Sequence, residues 1–232
     1  MEMNRDSQSA VYDGIFLVDK EQDWTSFDVV NKLRNVLHVK KMGHAGTLDP
    51  MATGLLVVLS GKATKLSDSV MGHDKEYYAT MTLGTSTDTQ DIWGNVIGGS
   101  PEAAESVTDE QILNAVRSYT GEINQIPPMY SAVKIKGKKL YELARKGTEV
   151  ERKPRHIVIH ELEMLGRDGN DVRLRIECSS GTYIRTLCHD IGEFLGCGAC
   201  MSELRRTKVG GYSIENAHRI SEIKDGEYLI EI

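Results

Sequence analysis

Apolar residues in this chain fall into short runs separated by polar punctuation. Ile15-Phe16-Leu17-Val18, entered from Gly14 and left through Asp19-Lys20, predicts a strand with a charged exit. Phe27, Val30, Leu33 and Leu37 recur at three- and four-residue spacings and predict a helix with one apolar stripe. Thr25 or Ser26 can cap it, with Asp28 near its positive end. The unbroken run Leu55-Leu56-Val57-Val58-Leu59, closed by Ser60-Gly61, reads as a buried strand, and a short helix follows to about Met71. Alternation with β-branched and aromatic residues between Asp74 and Gly84 marks another strand.

Thr108-Asp109-Glu110-Gln111 is a capping box for a helix to about Tyr119. A strand starts at Ile157-Val158-Ile159, and Asp168-Gly169-Asn170 is a hairpin-type turn. Val172, Leu174 and Ile176 alternate with Arg173, Arg175 and Glu177, giving that strand one wet face. Residues 178–187 form a strand-to-helix corner with Gly181 at the bend. The helix runs to Gly196, and a last strand is expected near 209–214.

One stretch breaks the periodicity: Gly43-His44-Ala45-Gly46-Thr47-Leu48-Asp49-Pro50-Met51-Ala52-Thr53-Gly54. Its glycines and proline oppose a regular helix or a central strand, and Pro50 keeps Asp49 out of helical geometry. A single carboxylate is thus expected on a stiff loop at the mouth of the buried strand. Such loops on rigid scaffolds carry catalytic groups; composition alone favours an Asp-Pro turn capping a strand.

With 232 residues, 27% charged and 40% hydrophobic, the chain has the make-up of a soluble globular protein of one large or two small domains. No apolar run reaches the roughly 20 residues of a membrane span, and the polar start lacks a secretory core, so residues 1–12 are expected to be a flexible tail and the cytoplasm the compartment. Cys178, Cys188, Cys197 and Cys200 are too few for a disulfide framework; Cys197 and Cys200 have metal-ligand spacing without a second close pair, so free thiols and no metal are expected. Net charge is -6, yet residues 134–155 hold nine basic and three acidic residues. That is either a solvated helix face or a surface for an anionic partner such as RNA.

Read whole, the 43–54 stretch closely resembles the signature loop of the TruB family of tRNA pseudouridine synthases: a Gly-His pair, then Gly-Thr-Leu-Asp-Pro, then Ala-Thr-Gly. Lys75-Glu76-Tyr77 and Gly181-Thr182-Tyr183-Ile184-Arg185 match further family motifs in the same order, and the likeness runs from about Gly14 to Ser213. The chain departs where the family commonly places a proline and a glycine after the lysine of the first strand; here Lys20 stands and Glu21-Gln22-Asp23 replaces the rest.

The resemblance implies an α+β (mixed α/β) pseudouridine synthase fold, with a mixed, largely antiparallel sheet flanked by helices. Residues 13–232 would form the catalytic domain, with a basic thumb-like RNA-binding insertion at about 125–155 and no C-terminal PUA-like domain. It implies an isomerase acting on uridine 55 in the T-arm of tRNA by base flipping, needing no cofactor and no obligate protein partner, and expected as a monomer. Asp49 would be the nucleophile, Arg185 its charge partner, and Tyr77 a ring stacked on the base and a candidate proton acceptor. His44, Tyr183, Leu204 and Lys20 would contact the substrate or wall its pocket. Lys134, Lys136, Lys138, Lys139, Arg152 and Lys153 would bind RNA. Asp88 and Asp91 either hold their loop together or orient Arg185. The rival readings are a guide-RNA-type synthase and a catalytically silent RNA-binding or RNA-folding protein.

Overall fold

A computed structural model of the chain describes residues 12–131, 133–135 and 137–232. It divides into two compact units, one made of residues 74–204 and the other of the segments that precede and follow them. Both are α+β, with largely antiparallel sheets.

The first unit is built on the strand Thr53–Ser60, buried at nearly every position on both faces. One edge pairs antiparallel with the whole of Gly14–Lys20, from Gly14 opposite Ser60 to Lys20 opposite Gly54. The other edge is shared. Met42–Ala45 runs antiparallel along residues 57–60, and Arg205 and Arg206 lie parallel beside Thr53 and Gly54. Ile15, Leu17, Leu55, Val57 and Leu59 bury one face with Ala45, Ala63, Val70 and Val209. The alternate residues Phe16, Val18, Leu56 and Val58 are buried on the opposite face, as the two-residue period of a strand dictates. Because Met42–Ala45 leaves the shared edge just where Arg206 enters it, the residues between, 46–52, are delivered as a loop to one end of the sheet.

The helix Ser26–Leu37 opens with Thr25 as cap and Asp28 completing a capping box, and ends at His38 in left-handed conformation. Its buried residues are Ser26, Val29, Val30, Leu33 and Leu37. Phe27, expected in the apolar stripe, is 59% exposed. At 100° per residue it lies a quarter turn from the row through Ser26, Val30 and Leu33, and Val29 takes its place.

In the second unit, Lys75–Leu83 pairs with Asp171–Cys178, that strand with Arg155–Asp168, and that one with Gly121–Gln125, all antiparallel. The helix Asp109–Ser118 starts at the Thr108–Gln111 capping box, and the helix Ile184–Leu195 stops at the left-handed Gly196. The last strand differs from expectation: Ala199–Val209 is extended for eleven residues, already through Leu204 and Arg206. Its charged residues hid it, because the partners of those charges are remote in sequence. Met42–Ala45 likewise is a strand where glycine content had suggested loop.

Among the described residues, no helix is long and apolar enough to cross a membrane. All four cysteines are free and buried, and burial pushes each thiol up in pKa, Cys200 to about 11.

Candidate active site

The loop carrying Asp49 is fastened to its unit by contacts that mostly fall on main-chain atoms. Ser26 Oγ accepts from Leu48 N at 2.9 Å and donates to Leu48 O at 3.1 Å, pinning the residue before Asp49 on both sides of its side chain. Ala52 N donates to Asp49 O at 3.0 Å, closing the turn. The Pro50 carbonyl accepts from Asp23 N at 2.9 Å and from Lys20 Nζ at 3.4 Å. Gly46 O accepts from Arg206 Nη2 at 3.0 Å. These contacts hold the loop through its backbone.

Two buried cations serve this loop. Lys20 is 1% exposed and spends its three ammonium protons on the carbonyls of Trp24 (2.7 Å), Glu21 (2.9 Å) and Pro50. Burial lowers its pKa to about 8, the negative charges of Asp49 and Asp23 support the ammonium, and Arg206 opposes it. Arg206, also 1% exposed, donates through Nε to Leu55 O at 2.8 Å as well as to Gly46 O. Its neighbour Arg205 points the other way, to Asp19 at 2.8 and 3.1 Å. His44 is half-buried, and burial, then the Arg206 charge, lowers its pKa, so the ring is neutral near pH 7. Its Nδ1 is buried and has no hydrogen-bond partner among the described residues.

In the second unit, the corner after Asp171–Cys178 turns through Gly181 (φ +84°) into the helix Ile184–Leu195. Gln125 grips Tyr183, the residue just before that helix, twice: Oε1 accepts from Tyr183 N at 2.8 Å and Nε2 donates to Tyr183 O at 3.0 Å. Arg185, 5% exposed, donates to Thr89 O (2.8 Å) and Tyr130 O (2.8 Å), and its Nη1 lies 3.4 Å from Asp91 Oδ2. Asp91 also accepts from Thr89 Oγ1 and Trp93 N, while Asp88 accepts from Asn95 N and Nδ2. Of the two roles open to these acids, Asp88 holds the loop, and Asp91 both holds it and orients Arg185.

Tyr77 lies opposite Ile176 in the sheet and is 8% exposed, whereas its neighbour Tyr78 is largely exposed. Tyr183 and Leu204 are half-buried. Arg152 donates to Pro127 O at 3.1 Å and pairs with Glu149, and Lys153 is exposed. Lys134, Lys138 and Lys139 belong to a two-stranded hairpin; Lys136 lies outside the described residues.

Lys20, His44 and Asp49 therefore share the first unit, and Tyr77, Tyr183, Arg185 and Leu204 the second. Sequence reasoning missed Ser26 as a loop anchor, Asp23, Arg206 and Gln125. The pair Arg205-Arg206 inside an otherwise strand-like run carried a usable signal, since a charge at an inward position of a strand needs a buried partner.

Residues 34–184 match the model of the TruB family pseudouridylate synthase N-terminal domain, and residues 185–231 that of the tRNA pseudouridylate synthase B C-terminal domain. A tRNA pseudouridine synthase B from Endomicrobium trichonymphae is 51% identical over 219 residues, covering 94% of each chain. The protein of the same name from Clostridium tetani (strain Massachusetts / E88) is 50% identical over 212 residues, 91% of this chain and 73% of that one. Among solved structures, one titled as a Cbf5-Nop10-Gar1 complex is similar with a TM-score of 0.72 and 33% identity. The likeness covers 92% of this chain and 54% of that one, so the chain spans about half its length. The signature loop, the ordered motifs and these matches agree: the chain belongs to the TruB family of pseudouridylate synthases.

Proposed function

We propose that this chain converts uridine to pseudouridine in tRNA, at position 55 in the T-arm, with Asp49 as the nucleophile. The observation that carries the reading is the Asp49 loop, rigidly held through its backbone beside a buried ammonium. Family membership and relatives named tRNA pseudouridine synthase B support the substrate class.

The reaction is an isomerisation. The bond from uracil N1 to ribose C1′ breaks, the base turns, C5 bonds to C1′, the C5 proton leaves and N1 gains one. The base must first leave its stack, at a cost of a few kcal/mol. Stacking on Tyr77 returns roughly 1–3 kcal/mol. A carboxylate nucleophile divides the bond exchange into two easier steps through a covalent intermediate. Lys20, and the Arg185 guanidinium aimed by Asp91, supply positive charge for anionic chemistry. Neutral His44, Tyr183 and Leu204 are assigned to substrate contact, and the basic residues of 134–153 to the RNA backbone.

Transfer RNA carrying tritium at uridine C5 tests this directly, because the proposed reaction releases that label to water. Wild-type protein is expected to release it in proportion to pseudouridine formed, and Asp49→Asn to bind tRNA without release. Release by Asp49→Asn at the wild-type rate overturns the nucleophile assignment.

A further inference from the structure

Arg185 is held at both ends by the same two segments of chain. Its guanidinium spans them: Nη1 donates to Thr89 O at 2.8 Å and lies 3.4 Å from Asp91 Oδ2, while Nη2 donates to Tyr130 O at 2.8 Å. Its backbone is gripped on either side by one glutamine from each segment. Gln125, on the strand that leads to Tyr130, makes both amide bonds to Tyr183. Gln90, between Thr89 and Asp91, accepts through Oε1 from Thr186 Oγ1 at 2.7 Å.

Both grips depend on the glutamine side chain. Tyr183 is the N-cap of the helix Ile184–Leu195 and its own side chain makes no capping bond, so Gln125 fixes the start of the helix from a distant strand. Gln125 is 2% exposed, where an amide needs partners for its oxygen and its nitrogen alike, and Tyr183 N and O supply them. Gln90 has φ +63°, in the left-handed region that glycine adopts freely and other residues adopt at a cost. Such strain persists where surrounding structure imposes it. Here Gln90 N donates to Thr87 O at 3.1 Å, Gln90 O accepts from Met201 N at 3.1 Å, and the side chain reaches the buried Thr186. On either side of that turn, the Thr89 carbonyl and the Asp91 carboxylate converge on one guanidinium nitrogen.

Resting on the isomerase reading above, we propose that Gln90 and Gln125 are positioning residues that together set the aim of Arg185. Gln125 fixes where the Arg185 stem leaves the helix. Gln90 ties the next residue of that helix to the loop whose Thr89 and Asp91 receive the fork. A guanidinium directs its donors only while stem and acceptors are both fixed. Losing either amide keeps the charge and frees its direction.

Gln90→Leu and Gln125→Met remove the polar ends at similar size. Each is expected to lower kcat by about tenfold with KM for tRNA unchanged. In an Arg185→Lys background, which already lacks the fork, neither should lower kcat further. Equal losses in the two backgrounds overturn the proposal, and wild-type kcat in either variant overturns the role of that residue. Gln90 is half-buried on a loop, so Gln90→Leu carries the test where Gln125→Met fails to fold. In parallel, ¹⁵N NMR of the Arg185 guanidinium, assigned with Arg185→Lys, should show two resolved Nη signals in wild type and one averaged signal in each variant. Resolved signals in both variants overturn the proposal whatever the activity. Absence of pseudouridine formation by wild type, by contrast, defeats the isomerase reading and leaves the guanidinium signals to judge the two glutamines.

Discussion

Ser26 and Leu48 exchange two hydrogen bonds through one hydroxyl: Leu48 N donates to Ser26 Oγ at 2.9 Å and Ser26 Oγ donates to Leu48 O at 3.1 Å. Ser26 is the first residue of a helix and Leu48 immediately precedes Asp49, so the helix start fixes the approach to the proposed nucleophile. Ser26→Ala leaves a buried amide and a buried carbonyl without this partner, at a cost of about 1–3 kcal/mol. The expected outcome is a lower melting temperature and a kcat reduced by about tenfold through misplacement of Asp49. Single-turnover kinetics alongside thermal unfolding check both.

Arg206 secures Gly46 and Leu55 from the end of a strand over 150 residues away. In Arg206→Met both carbonyls lose a charged donor, a loss of about 3 kcal/mol or more. The His44 titration supplies a second readout. Removing Arg206 removes one of the two causes lowering the His44 pKa, so its midpoint should rise toward, but remain below, the ordinary histidine value. Proton NMR of the His44 ring measures it.

Gly54 is predicted to tolerate no side chain. Its φ is +100°, and a Cβ would lie 2.2 Å from Arg206 O and 2.8 Å from Arg206 N, both backbone atoms in the paired strand. Neither the turn nor the neighbour can yield, so Gly54→Ala should cost at least about 3 kcal/mol. Scanning calorimetry should show a loss of about 10 °C or failure to fold.

Arg185→Lys keeps the charge and loses the fork. A guanidinium reaches Thr89 O, Tyr130 O and Asp91 at once, whereas an ammonium on a shorter stem cannot span the same acceptors. A fall in kcat of about a hundredfold with modest change in tRNA affinity is expected from misplacement alone. Rapid-quench assays with filter binding separate the two.

Lys20 links activity and stability to pH with opposite signs. Its folded pKa of about 8 lies below the ordinary 10.5, so between these values the unfolded chain holds more protons and the Lys20 contribution to stability rises with pH. Activity should fall over the same window as the ammonium that holds Pro50 discharges. Denaturant unfolding of wild type and Lys20→Met from pH 7 to 10.5 should therefore show wild type gaining stability relative to the variant as kcat declines.

Much of the molecule was legible locally. The buried run ending at Leu59, the capping boxes at Thr25 and Thr108, the bend at Gly181 and the stop at Gly196 follow from period, cap chemistry and backbone permissiveness, all properties of neighbours in sequence. Phe27 was misread because a three-residue step from Val30 is compatible with two adjacent rows of a helix, and packing chooses between them. The strand through Leu204 and Arg206 was missed because Arg206 is satisfied by backbone carbonyls and Arg205 by Asp19, partners so remote that they leave no pattern at any fixed spacing.

The order of motifs determined the family, the chemistry expected of Asp49, and the existence of a stiff loop that presents it. Tertiary structure alone decided what makes that loop stiff: Ser26, Asp23, Lys20 and Arg206 converging on its main chain, and Gln125 and Asp91 steadying the Arg185 corner. The reason is physical. Helix and strand periodicities are written in consecutive side chains, whereas a hydrogen bond to a distant carbonyl depends on where the folded backbone brings that oxygen, and nearly every residue type offers the same one.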